Sequence, residues 1–157
     1  MRKKVIEEGI KVHGFYHIQL VNLDGSIAGE AKGHNLIVNS GFRYYMAYAL
    51  GAIAGSLQVT HMALGTGGAV DATSTSIANE VAKRQAVTAA SSSTSKAVRF
   101  TATFDSANSF LAGTSNISNI GLYNSSSTGT LFAGTTFASS SCATNQTVNC
   151  TYDISWT

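Results

Sequence analysis

The chain has 157 residues, a length that suits one domain burying roughly two-thirds of its unfolded surface. Only 11% of the residues are charged and the formal net charge is +2, so the composition lacks the basic footprint of a nucleic-acid-binding protein. No run approaches the roughly 18 apolar residues of a membrane span, so we expect neither nucleic acid nor membrane as a partner.

Residues 1–11 are predicted to form a charged N-terminal arm. Glu7 and Glu8 lie where a secretion signal would place its apolar core, which predicts that the protein is not exported by that route. The arm is either a solvated tail or a segment that crosses a neighbouring subunit. In the second case its basic side chains are candidate interface residues: Arg2, Lys3, Lys4 and Lys11.

Alternating apolar and polar residues predict seven to nine short strands in the rest of the chain. The turn Asp24-Gly25 predicts a hairpin between the first two strands, and Gly33 separates the second strand from the third. The last strand has the clearest alternation and runs almost to the final residue. The predicted strands are Val12–Asn22, Ser26–Lys32, Asn35–Val38, Leu57–Leu64, Arg84–Ala89, Ala97–Asp105, Ser118–Tyr123, Thr130–Phe137 and Thr147–Trp156.

One amphipathic α-helix is predicted at about residues 41–54, after the breaker Asn39-Ser40-Gly41. At 100° per residue, its apolar face comprises Phe42, Tyr45, Met46, Ala49, Leu50 and Ile53. The opposite face comprises Tyr44, Tyr48, Gly51 and Gly55. This second face either packs on the protein's own sheet or forms a subunit interface, and we favour the interface because tyrosines beside glycines permit close approach.

These elements predict a mainly β protein: an antiparallel β-sandwich with one inserted helix, formed by residues 12–157 as a single domain. Ile77–Lys83 is predicted to add a short helical turn. Cys142 and Cys150 are out of register in the predicted hairpin, and the absence of a secretion signal favours reduced thiols.

Candidate catalytic and metal-binding patterns are weak, so we expect neither an enzyme nor a cofactor. Gly65–Gly68 lacks the lysine of a phosphate-binding loop and is better explained as a tight turn. His13 and His17 lie on a strand, where four residues span about 13 Å, too far for two ligands of one metal. Asp105 and Asp153 are predicted on polar strand faces, where solvated carboxylates are ordinary.

Several segments together resemble a known class of protein. The segments NLIVNSG, THMALGTGG, ANEVAKRQAV and IGLYNSSSTGTLFA occur in this order between about Gly25 and Thr157. In this they resemble small structural proteins of tailed-bacteriophage virions, described as head-decoration or tail-fibre-like proteins. The resemblance implies a virion component assembled in the host cytoplasm.

Two functions follow as expectations. The first is a capsid decoration protein that binds the major capsid protein and forms a homo-oligomer, with a trimer implied by the phage resemblance. The second is a tail-fibre or baseplate module that binds a host receptor. Loop tips such as Ser125–Gly129 and Ala143–Gln146 lack aromatic residues, which favours decoration over glycan recognition.

Overall fold

A computed structural model describes residues 9–91 and 96–157. It is mainly β, with one short helix. Gly41–Ala47 is wound as a π-helix and continues into one α-helical turn, Tyr48–Leu50; together they are helix α1. The strands are β1 Val12–Val21, β2 Ile27–Ile37, β3 His61–Gly65, β4 Gln85–Ala86, β5 Thr88–Ala90, β6 Ala97–Phe104, β7 Ser115–Tyr123, β8 Leu131–Cys142 and β9 Thr147–Trp156.

The nine strands form one antiparallel sheet in the order β4-β3-β7-β8-β2-β1-β9-β6-β5. Its two edge strands are neighbours along the chain, since only Val87 separates β4 from β5. The Val87 amide donates to the Thr60 carbonyl at 2.9 Å, which holds this junction against the β3 side. The sheet is therefore nearly closed, and its two halves face each other across a shared apolar core. The predicted fold class is confirmed.

Alternation along the strands determines which residues form the core. In β1, Tyr16, Ile18 and Leu20 point inward, and each lies opposite an inward residue of β9. The alternation predicted for β9 is confirmed, because Val148, Cys150, Tyr152 and Ile154 are all buried. The same pairing ties down the end of the chain: Lys11 and Thr157 exchange two backbone hydrogen bonds.

The break predicted at Gly33 is wrong, because β2 runs without interruption through this glycine. Gly33 is on the core side of the sheet, opposite Tyr16. A Cβ atom at Gly33 would approach the Tyr16 hydroxyl oxygen to 3.1 Å, so the glycine makes room for the ring. A glycine in a strand here marks close packing and not a turn.

Helix α1 is shorter than predicted and is wound differently. It ends at Leu50, and the chain then turns through Ala52 and Gly55, which both have positive φ. The Tyr48 amide donates to the carbonyl five residues back, at Arg43, as in a π-helix. This wider winding changes which residues share a face. Of the predicted apolar face, Phe42 is 45% exposed and Leu50 is 92% exposed; Ile53, which lies beyond the end of the helix, is 48% exposed.

Thr66–Glu80 forms an irregular loop over the outer surface of β3, β7 and β8. The predicted helical turn at Ile77–Lys83 does not form; instead Glu80 makes a β-bridge with Gly65. Beneath the loop is a second, smaller apolar cluster, on the opposite side of the sheet from the main core. Its buried members are Val38, Ala63, Ile77, Tyr123 and Leu131.

Candidate interaction surface

The outer surface of β2, β1, β9 and β6, which we call the bare face, carries mostly polar side chains. The register aligns them in rows across the strands; one row contains His17, Thr151 and Thr101. In the next row, Arg99 of β6 donates to both carboxylate oxygens of Asp153 of β9, at 2.7 Å each. Hydroxyl and amide groups with a few ion pairs are typical of a solvated sheet face.

Apolar side chains interrupt this polar surface near the first residues of β1. Phe15 and Leu36 point outward from β1 and β2 and are 40% and 39% exposed. The Phe15 ring meets the His34 ring edge-on, with centroids 6.0 Å apart. Phe42 of α1 lines the same cleft as His34 and Leu36. We call Phe15, His34, Leu36 and Phe42 the Phe15 patch. Contiguous exposed apolar groups with a polar surround are typical of interaction sites.

The cleft lined by His34, Leu36 and Phe42 has a volume of about 260 Å³, and Phe15 lies beside it against His34. Asn35 also borders it, but its carboxamide points to the inner side of the sheet, where it lies against Gly14 and beside the buried Tyr152 hydroxyl. The cleft is therefore bounded on its outer side by the apolar side chains and by His34.

Near the Phe15 patch the bare face carries three basic side chains, Lys11, Lys32 and Arg99, and two acidic ones, Glu30 and Asp153; Asp105 lies at the other end of β6. The carboxylates of Glu30 and Asp153 are already engaged, Glu30 by His17 at 2.5 Å and Asp153 by Arg99. The hydrogen bond from His17 and the nearby Lys32 lower the pKa of Glu30. Lys32 is exposed and forms no ion pair with a described residue, and the same holds for Lys11.

The structure brings together only some of the residues of the predicted interface on α1. Tyr44 and Tyr48 are half-buried and their rings meet edge-on, with centroids 5.3 Å apart. The Arg43 guanidinium lies 5.0 Å from the centre of the Tyr44 ring. Gly51 and Gly55 are exposed in the turn after the helix, and the positive φ of Gly55 explains that glycine without an interface. The role of these residues in an interface stays a prediction.

Only one of the four basic residues of the predicted arm lies within the part of the chain that the structure describes. Arg2, Lys3 and Lys4 lie outside the described residues. Lys11 lies within them, next to the first residue of β1, and its side chain is exposed. It continues the outward alternation of β1 toward the same end of the sheet as the Phe15 patch.

The sites considered for chemistry are occupied by structural contacts. The Asn119 amide donates to the Gly67 and Ala78 carbonyls, which fixes the glycine turn to the sheet. Asp105 caps the short turn Ser106–Asn108 by accepting from the Ala107 amide. Among the described residues, no three His, Cys, Asp or Glu side chains are grouped so as to hold a metal ion.

Cys142 and Cys150 are free thiols buried in the main core. Burial raises the pKa of Cys142 to about 11 and also raises the pKa of Cys150. Both therefore remain protonated near neutral pH, which makes them poor nucleophiles.

The sequence analysis did not predict the Phe15 patch, although the outward position of Phe15 could have been predicted. The alternation of β1 places Phe15 on the outward side, where a phenylalanine is unexpected. The continuity of β2 through Gly33, which was not predicted, sets Leu36 and His34 beside it. No sequence signal placed Phe42 there, because its direction depends on the π-helical winding of α1.

Comparison with family models, curated proteins and solved structures gives no match to this chain. Within the described part of the chain, no helix is both long enough and apolar enough to cross a membrane.

Proposed function

We propose that this protein is a non-enzymatic structural component of a tailed-phage virion, and that it decorates the capsid by binding the major capsid protein. The observation that carries the proposal is the Phe15 patch, an exposed apolar surface on an otherwise polar sheet face. The low charge density and the sequence resemblance to virion proteins support the same assignment. Many modest contacts repeated over a shell would hold neighbouring capsomers together.

The experiment is a binding assay on phage heads that lack the protein. Purified protein is mixed with the heads, and the bound copies are counted after sedimentation. We expect hundreds of copies per particle. Leu36→Ser should reduce binding, while Ile27→Ser should not, because Ile27 is exposed on the same strand but at its other end. A count of only a few copies per head, or no binding, would contradict the proposal; a few to dozens of copies in the complete virion would indicate the tail instead.

We propose further that the protein associates with itself through α1, most simply as a trimer. Tyr44 and Tyr48, whose rings meet edge-on, lie with Arg43 on one surface, and aromatic and arginine side chains are enriched at interfaces. Tyr48→Glu should lower the mass measured by light scattering while the circular dichroism spectrum stays unchanged. A folded variant of unchanged mass would contradict this part of the proposal.

A tail-fibre or baseplate module that binds host glycans is the second candidate. One arrangement favours it: the exposed Phe15 ring lies in the same surface depression as the paired Arg99 and Asp153. An apolar ring beside oriented polar groups suits a sugar, which has one apolar face and many hydroxyls. Clear hits on a glycan array that are lost in Phe15→Ser would favour this candidate over decoration.

A further inference from the structure

We propose that the Phe15 patch binds an acidic segment of a partner protein, in which an aromatic or aliphatic side chain is flanked by carboxylates. The inference rests on the proposed function, since it specifies the chemistry of the partner at the same surface.

The apolar part of the recognition comes from the cleft between Leu36, His34 and Phe42. Its volume of about 260 Å³ equals that of roughly nine water molecules in the liquid. One large side chain from the partner can displace this water and cover the exposed faces of Leu36 and Phe42. A single buried anchor in a pocket, surrounded by weaker contacts, is the usual arrangement at protein interfaces.

The polar part comes from the charges around the cleft. Lys11 and Lys32 are exposed and belong to no ion pair of the described residues, although the charge of Lys32 acts on nearby Glu30; Glu30 and Asp153 are hydrogen-bonded to His17 and Arg99. An acidic partner segment would therefore meet exposed cations, whereas a basic one would compete with His17 and Arg99 for the two carboxylates. Such complementarity sets partner choice and association rate more than it sets affinity.

The test uses two fluorescein-labelled twelve-residue peptides, each with one central phenylalanine. One carries glutamates around the phenylalanine and the other carries lysines at the same positions. Fluorescence anisotropy with the full chain should show at least tenfold tighter binding of the glutamate peptide, and this preference should shrink as salt is raised. Equal affinity for the two peptides, or binding of neither, would overturn the proposal.

Variants locate the binding on the molecule. The double variant Phe15→Ser, Leu36→Ser should weaken binding of the glutamate peptide about tenfold. Lys32→Glu should also weaken this binding and should reduce its dependence on salt. Ile27→Ser serves as the matched control, since Ile27 is a 59% exposed residue of the same strand and should leave affinity unchanged. Circular dichroism establishes that each variant is folded. An equal loss in the control variant would overturn the proposed location.

A second copy of this chain is the competing occupant. Light scattering at the assay concentration detects it: self-association that disappears in the Phe15→Ser, Leu36→Ser variant would overturn the acidic-partner proposal. The two levels of inference can fail separately. Head binding that needs Leu36 but shows no peptide preference would refute only the partner chemistry, whereas peptide binding without head binding would refute only the virion role.

Discussion

The outer surface of β3, β7 and β8 lies beneath a loop, whereas the outer surface of β1, β9 and β6 is open to solvent. On the covered side, Thr66–Glu80 encloses a second apolar cluster that includes Ile77 and Tyr123, both almost fully buried. On the bare face the same strand geometry presents threonines, ion pairs and the Phe15 patch. The chain thus covers one outer surface with its own loop and leaves the other free to meet a partner.

The two faces also use their polar groups differently. On the covered side, Asn119, Tyr123 and Arg84 each bind backbone atoms of a loop, so their polar groups hold the fold together. On the bare face, Arg99 and Asp153 bind each other in solvent. Substitutions on the covered side should therefore reduce stability, and substitutions on the bare face should change binding at little cost in stability.

Replacing Arg84 with alanine gives the largest expected effect. The Arg84 side chain is only 5% exposed; it pairs with Glu80, donates to the Ser125 and Thr128 carbonyls, and lies 3.5 Å from the centre of the Tyr123 ring. Breaking a buried ion pair by removing one partner costs about 3–5 kcal/mol, and because Glu80 is 24% exposed we expect a loss near the lower end of that range. Urea unfolding should show this loss in the free energy of unfolding. A loss in the free energy of unfolding below about 1 kcal/mol would contradict the view that the contacts of Arg84 with Glu80, Ser125 and Thr128 hold these loops in place.

The Tyr123→Phe variant removes a single hydrogen bond on the covered side, so we expect a smaller loss of stability than for Arg84→Ala. The Tyr123 hydroxyl accepts a hydrogen bond from the Ile77 amide at 2.8 Å, in a fully buried position. Removing the hydroxyl leaves that amide unpaired, which costs roughly 1–3 kcal/mol. We expect the loss in urea unfolding and faster hydrogen exchange at Ile77. Unchanged exchange would mean that the loop is held without this bond.

The strands were the most predictable part of the fold. Alternation located β6 and β9 closely, because each has one face in the core and one in solvent. It failed for β2, where Gly33 was interpreted as a break although it accommodates the Tyr16 ring. That contact joins residues from two strands, so the local sequence of β2 alone could not indicate it.

The candidate surface was less predictable than the fold, for two physical reasons. The π-helical winding and early end of α1 change the directions of Phe42 and Leu50 and leave Ile53 outside the helix, whereas the prediction assumed a regular α-helix to residue 54. The loop over β7 depends on bonds to Asn119 and Tyr123, which are distant in sequence from the residues they hold. Local pattern therefore gave no indication of which outer face would be covered.

The Arg99→Ala variant is the counterpart of the Arg84 variant on the bare face. Arg99 forms a well-aligned pair with Asp153, but its side chain is 60% exposed. Exposed ion pairs contribute about 0–1 kcal/mol to stability, so the free energy of unfolding measured in urea should fall by no more than that amount. Comparing the two variants under one set of conditions sharpens the contrast between the faces. A loss as large as that of Arg84→Ala would show that the bare face also holds the fold together.

The smallest expected effect concerns Glu30 on the bare face, and it appears only as a dependence on pH. The hydrogen bond from His17, followed by the charge of Lys32, lowers the pKa of Glu30 below its ordinary value of 4.5. Folding therefore favours the ionised carboxylate, so the contribution is present above pH 4.5 and is lost as pH falls through the lower, folded-state value. Glu30→Gln removes this contribution, so the free energy of unfolding of the variant should fall less steeply than that of the parent chain below pH 4.5. Urea unfolding at a series of pH values measures the two slopes. Parallel curves would mean that the carboxylate is equally solvated in the folded and unfolded chain, as expected of a face that contributes little to stability.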